Sequence, residues 1–394
     1  LAQFCFRKMN DRKRVLILGA DGADPGVLAR LMDAGQLPHF SRLCARGSWG
    51  PLRTTFPPVS PVAWTTCLTG AAPSEHGITD FVTKAPRRYL PEIGLYEVET
   101  GAGGLPTYAR RCRVPTLGRV LAEAGRRTYL LKVPGTFPPE PRGEGSAAGG
   151  TLAGFGMPDL VGSFGVSAWY TTDLAGKQAS TPEHNGLIQA LTPQGPTRLR
   201  GTWIGQIEGP LKTIFAFTLR RARGQVTLSL GAREQPAAWL SPGQWSGWVR
   251  LSFDVPGLGA VPGICRFKLV SLGPTLELYR TAVQCAPDLP LYPLSEPSGF
   301  AARLERLVGP YATIGMPGDL DGVRRGVVDR ATFLEDAYAN WEQQVEMTLR
   351  LMSEDPDWDL VMTHLFAIDN VQHLYWGDPG DEGERAYRWM AVQL

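Results

Sequence analysis

The chain has 394 residues, 43% hydrophobic and 20% charged, an ordinary globular composition with length for two or three domains and a large core. Its 40 basic and 38 acidic residues are mixed along the chain to a net charge of +2, which excludes a broad basic face for nucleic acid or acidic lipid. Cys5, Cys44, Cys67, Cys112, Cys265 and Cys285 show no CxxC spacing, which argues against a zinc ribbon or redox pair. They read mainly as small buried hydrophobes, with a disulfide left open.

No apolar run approaches the roughly 18 residues of a membrane span, and the opening LAQFCFRKMNDRKR lacks a signal-type apolar stretch, so no integral membrane segment is expected. A cytoplasmic protein is the default expectation. Secretion or a periplasmic location stays open, because the chain begins at Leu1 with Met9 only later, as an arbitrary start would.

In chain order, Arg14 to Ala20 (RVLILGA) predicts a buried parallel strand. A helix follows, with Asp24 as cap, Pro25 in the first turn, Leu28, Leu31 and Met32 as an apolar stripe, and Gly35 as terminator. Further elements are a helix over Phe40 to Ala45, a strand near Leu52 to Phe56, a helix after Pro61, a helix from Leu117 to Ala124 closed by Gly125, and a strand from Thr128 to Val133. GEGSAAGG at 143–150 reads as a loop.

This alternation predicts an α/β core with a mostly parallel sheet flanked by helices. From about Gly201 the segments IFAFTL, VTLSL, WVRLSFDV, CRFKLV and LELY alternate and are punctuated by glycine and proline, an antiparallel signature. The expected organisation is core over 10–177, a β-rich insert over 178–298, and core again over 299–394. In that last part Asp329 caps a long helix whose face is Phe333, Leu334, Ala337, Trp341, Val345, Leu349 and Met352, followed by a buried strand, Leu360 to Phe366.

Ligands of open α/β sheets gather beyond the carboxyl ends of strands, which singles out Asp21, Ser60 and Asp369. In TTFPPVSPVAWTTCLTG, Pro61 suits a first helical turn and makes Ser60 the expected N-cap. A helix N-terminus favours both an ionising hydroxyl and a bound phosphate, yet this stretch alone favours a plain cap. Asp24 is assigned to the cap before Pro25, which leaves Asp21 freer to face the cleft. Asp369 and His373 in AIDNVQHLYW are four apart and share one helical face, where carboxylate plus imidazole suits zinc or manganese. His364 reads as a core histidine bonded to backbone, His76 as ordering its turn, and His39 and His184 have no context. No GxSxG elbow, no P-loop and no GxGxxG after a strand is present.

Three blocks, LILGADGADPGVLARLMDAGQLPHFSRL, TTFPPVSPVAWTTCLTGAAPSEHGITDF and DLVMTHLFAIDNVQHLYW, together resemble the type I phosphodiesterase/nucleotide pyrophosphatase family of the alkaline phosphatase superfamily. The resemblance covers most of 14–175 and 300–376, and GFGMPD and PGQWSGWV tie the insert to a bacterial branch. It implies an alkaline-phosphatase-like core and a phosphodiesterase or phosphatase acting on a small phosphate ester through two divalent metal ions, zinc first and manganese second. Asp21 matches a ligand of one metal, Ser60 the nucleophile on that metal, and Asp369 and His373 two ligands of the other.

Two departures stand out. The family completes its metal sites with a later Asp-His-Gly and a further histidine, which this chain lacks before Leu394. The expectation is therefore a fragment with weak or incomplete metal binding. Asp80 and Phe81 stand after HGI where nucleotide pyrophosphatases carry a phosphate-binding asparagine, which leaves another phosphodiester or a phosphonate equally open. A phosphotransferase or mutase on the same core is the nearest rival, and a metal-free binding homologue is the non-enzyme alternative.

Overall fold

The computed structural model describes residues 2–5, 13–84, 89–101, 105–175, 188–206, 212–231, 235–255, 258–377 and 382–393. Leu1, Met9, His184, Leu394 and the expected 177/178 boundary lie outside them.

The α/β expectation holds. Val15–Ala20, Leu360–Leu365, Thr128–Leu131 and Gly149–Leu152 run parallel side by side in that order. Ala2–Cys5 and Ser295–Glu296 close the two edges antiparallel. The first and last core strands of the chain are thus neighbours, in a register that pairs Ala20 with Leu365. Every residue of Leu360–Leu365 is buried, as a strand covered on both faces requires. Val15–Ala20 differs from the buried strand expected there: apart from Gly19 its residues are half-buried, because a cavity lined by Leu16 and Leu18 opens along it.

Helices Leu117–Glu123, Phe300–Val308 and Arg330–Glu354 pack on the sheet. Their starts follow from caps: Thr116 accepts from the Arg119 N–H, and Asp329 from the Thr332 N–H. The long helix buries a different face from the one its apolar spacing suggests. Phe333, Ala337 and Trp341 are buried, but the second half buries Gln344, Met347, Thr348 and Leu351, while Leu349 is exposed. Gln344 Nε2 and Thr348 Oγ1 both reach Thr363 Oγ1, at 2.9 and 3.1 Å, while Val345, Leu349 and Met352 line the open cavity.

The segments read as antiparallel form three further sheets. One has the order Thr192–Pro193, Arg198–Gln206, Lys212–Ala222, Gln225–Leu230, Ala238–Leu240, and another joins Val249–Val255, Gly259–Cys265 and Gln284–Cys285. In Val249–Val255 alternate residues are buried, from Val249 through Leu251 and Phe253 to Val255, so one face carries the packing. The third orders Ile188–Ala190, Ala168–Thr171, Leu276–Arg280 and Phe267–Leu272, which splits CRFKLV between two strands. Cys44, Cys67, Cys112, Cys265 and Cys285 are free thiols. No helix among the described residues is long and apolar enough to cross a membrane.

The strand expected near Leu52 to Phe56 does not form. Pro51, Pro57 and Pro58 remove donors and restrict the residues before them, and Leu52 and Phe56 are exposed rather than paired.

Candidate active site

Asp21 lies one residue beyond the first core strand, where its backbone N–H continues the ladder to Leu365 O at 3.0 Å. The turn that follows depends on Gly22, at φ +70°, where an added Cβ would stand 2.9 Å from the Asp369 Cα. That close approach brings the end of one strand against the helix that follows its neighbour. Asp24 caps Pro25–Asp33 by accepting from the Val27 N–H at 2.8 Å, as expected. Tyr387 ties the same turn to helix Ala367–Tyr375: its hydroxyl donates to Gly22 O and accepts from the Asp24 N–H and from Gln372 Nε2.

Ser60 is not the N-cap. Val59 takes that position without a side-chain bond, and Ser60 is the first residue of Ser60–Thr69, with Pro61 after it. The physical reason is the extended backbone at Val59, which accepts the first helical bonds from Val62 and Ala63. Freed from capping, the Ser60 hydroxyl donates to Asp21 Oδ1 at 3.3 Å. It does so at a helix end whose partial positive charge favours anions.

Asp369 and His373 lie on one face of Ala367–Tyr375, and their side chains meet at 3.5 Å, Oδ2 to Nε2. Asp369 is 23% exposed and His373 54%. Burial, and then the charge of Asp21, push the Asp369 carboxyl up to about 6, against a smaller opposing effect of His373. For Asp21 burial acts upward too, but hydrogen bonds from His364, Trp64 and Ser60 outweigh it and hold the carboxyl below its ordinary value. The two carboxylates thus lie near enough for the charge of Asp21 to act on Asp369, and among the described residues their ion-pair partners are histidines.

His364 is the residue sequence reasoning missed. It is a core histidine, as expected, yet its Nε2 faces Asp21 Oδ2 at 3.2 Å rather than a backbone group. Its ring is fully buried, edge-on to Trp64 and Phe366, and burial lowers its pKa, so the neutral ring donates Nε2–H to the carboxylate. Space for this arrangement comes from Gly19, paired with His364 across the sheet, where a Cβ would stand 2.2 Å from the Trp64 ring. His76 orders its turn as expected, with Nδ1 accepting from the Ile78 N–H and Nε2 beside Thr66 Oγ1. His39 is exposed and pairs with Arg42.

A cavity of about 830 Å³ opens beside Asp21 and Gly22, walled by apolar groups including Leu18, Phe40 and Trp64, with Arg42 and Arg53 also lining it. Asp21 joins the site residues: it bonds Ser60 and His364 and perturbs Asp369. For metal, each pair offers suitable donors, oxygen from Asp21 and Ser60 and oxygen plus nitrogen from Asp369 and His373. Among the described residues no group of three or more His, Cys, Asp or Glu side chains is placed to hold an ion.

Residues 15–141 match the family model described as Type I phosphodiesterase / nucleotide pyrophosphatase, a family of phosphoric ester hydrolases within the alkaline phosphatase superfamily. The matched stretch contains Asp21 and Ser60 and ends before Asp369 and His373. No curated protein and no solved structure matches the chain.

Proposed function

We propose, taking the type I phosphodiesterase match over residues 15–141 as premise, that the protein is a metal-dependent phosphoric ester hydrolase with Ser60 as nucleophile. The observation that carries this reading is the Ser60 hydroxyl, released from capping and directed at the Asp21 carboxylate from a helix N-terminus. Asp21 with Ser60 would hold one divalent ion, and Asp369 with His373 the other. Such ions, zinc or manganese, supply neutralisation of the phosphoryl charge and a lowered pKa for the serine. The upward push of Asp21 on the Asp369 carboxyl favours this, because a nearby cation relieves the repulsion of the two carboxylates.

Asp21 Oδ1 orients the Ser60 hydroxyl by accepting its hydrogen bond. Ser60 Oγ gives up its proton and forms a bond to phosphorus as the bond to the leaving oxygen breaks; that oxygen takes up a proton and departs as the alcohol, and water later hydrolyses the phosphoseryl ester and restores the Ser60 hydroxyl. The partial positive charge of the helix end favours the phosphoryl oxygens. The substrate is a small phosphate ester. The test is hydrolysis of bis-p-nitrophenyl phosphate by protein from the complete reading frame, with zinc or manganese: Ser60→Ala should remove turnover, and unchanged turnover would sink the assignment.

A metal-free binding role is favoured by one observation, the lack of a three-ligand cluster among the described residues. Elemental analysis separates the two, since a binding protein would carry fewer than two ions per chain.

A further inference from the structure

A small cavity of about 20 Å³ is lined in part by the buried residues Lys132, Trp341, Gln344, His364 and Asn370. That is the space of about one water molecule. Four of the lining residues each carry a buried side-chain atom with no hydrogen-bond partner: Trp341 Nε1, Gln344 Oε1, His364 Nδ1 and Asn370 Oδ1. All four residues are at least nine-tenths buried. Their other ends are fixed. Asn370 Nδ2 donates to Pro317 O at 2.7 Å, which obliges the amide oxygen to be the free end, and Gln344 Nε2 reaches Thr363 Oγ1 at 2.9 Å. A buried polar atom left unpaired is costly, so four on the residues around one polar space mark a site built for a small polar occupant.

We infer that this cavity binds one ordered water, and that the water makes His364 a positioning residue for Asp21. The histidine Nε2 must carry a proton, because it faces a carboxylate oxygen at 3.2 Å. In the neutral ring Nδ1 is then an acceptor and takes one proton of the water. The water oxygen accepts from the Trp341 N–H, and its second proton serves an amide oxygen of Gln344 or Asn370. The Lys132 ammonium, which donates to Ala312 O, lines the same wall with further donors. Pinned by the water at Nδ1 and by Asp21 at Nε2, the imidazole holds the carboxylate so that Oδ1 stays on Ser60. The role at Asp21 rests on the proposed active site; the water does not.

Two measurements decide it. A high-resolution crystal structure should show one water within hydrogen-bond distance of His364 Nδ1 and at least two of the other three atoms, and side-chain ¹⁵N spectra should show the proton on Nε2. A dry cavity, or a proton on Nδ1 alone, overturns the inference. For the positioning role, Mn²⁺ affinity by calorimetry and turnover are compared in His364→Leu and His364→Gln, since glutamine restores an N–H donor toward Asp21. Loss of an outer-shell partner costs roughly 10–100-fold in affinity or activity. The expected result is at least about tenfold loss of both in His364→Leu and recovery to within a few-fold in His364→Gln. Equal losses in the two variants, or none, overturn the positioning role. Should Ser60→Ala still abolish turnover in that case, the active-site reading stands and only this inference fails.

Discussion

Asp369→Asn should make the metal-free protein more stable at neutral pH, although it removes a proposed metal ligand. The carboxyl is held at about 6 against an ordinary 3.8, chiefly by burial and then by Asp21. At about 1.4 kcal/mol per pH unit that difference amounts to about 3 kcal/mol, and with the side chain 23% exposed, screening brings it to about 1–3 kcal/mol. The sign follows from linkage: an acid whose folded value is raised contributes stability fully below about 3.8 and loses it as pH rises through about 6. Urea unfolding of wild type and variant in excess chelator is the assay. At pH 7 the variant should be more stable by that amount, and the gap should shrink as pH falls toward 4.5. With Mn²⁺ the wild type should gain and the variant should not, because only an ion bound to the folded state stabilises it. A variant less stable than wild type at pH 7 in chelator, or a gap independent of pH, would refute the reasoning.

Mn²⁺ affinity of the Asp369–His373 pair should fall by roughly tenfold per pH unit below about 6, where the ion must displace the Asp369 proton; a flat profile in calorimetry from pH 7 to 5 would exclude that carboxyl as a ligand. Gly22→Ala should cost about 1–3 kcal/mol in denaturant melts, because the new Cβ meets the Asp369 Cα at 2.9 Å on a backbone at φ +70°. A loss of only a few tenths would mean that the turn adapts freely.

Local signals in the sequence carried far. The caps at Asp24 and Asp329 and the apolar run over 360–365 each depend on a few adjacent residues, and they locate elements without knowledge of the fold. The Asp369–His373 pair was legible for the same reason, as helical spacing alone puts both on one face. What failed depended on distant partners. Only the sheet register places His364 opposite Gly19 and hence against Asp21 and Trp64, and neither residue announces that pairing. Leu349 looked like core by period but is exposed, because burial in the second half of the long helix follows Gln344 and Thr348, whose partner Thr363 lies on the neighbouring strand. Ser60 was misplaced by one residue. Its expected role as cap depended on the backbone at Val59, which proline content alone does not determine.

The central claim is that Ser60 carries the phosphoryl group. Acid quenching of the metal-loaded protein during turnover of bis-p-nitrophenyl phosphate, followed by peptide mass spectrometry, tests it directly. Phosphate should appear on Ser60, at a level that rises with substrate, and both the adduct and turnover should vanish in Ser60→Ala. Full turnover in Ser60→Ala, or a phosphoryl group trapped on a different residue, would contradict the account.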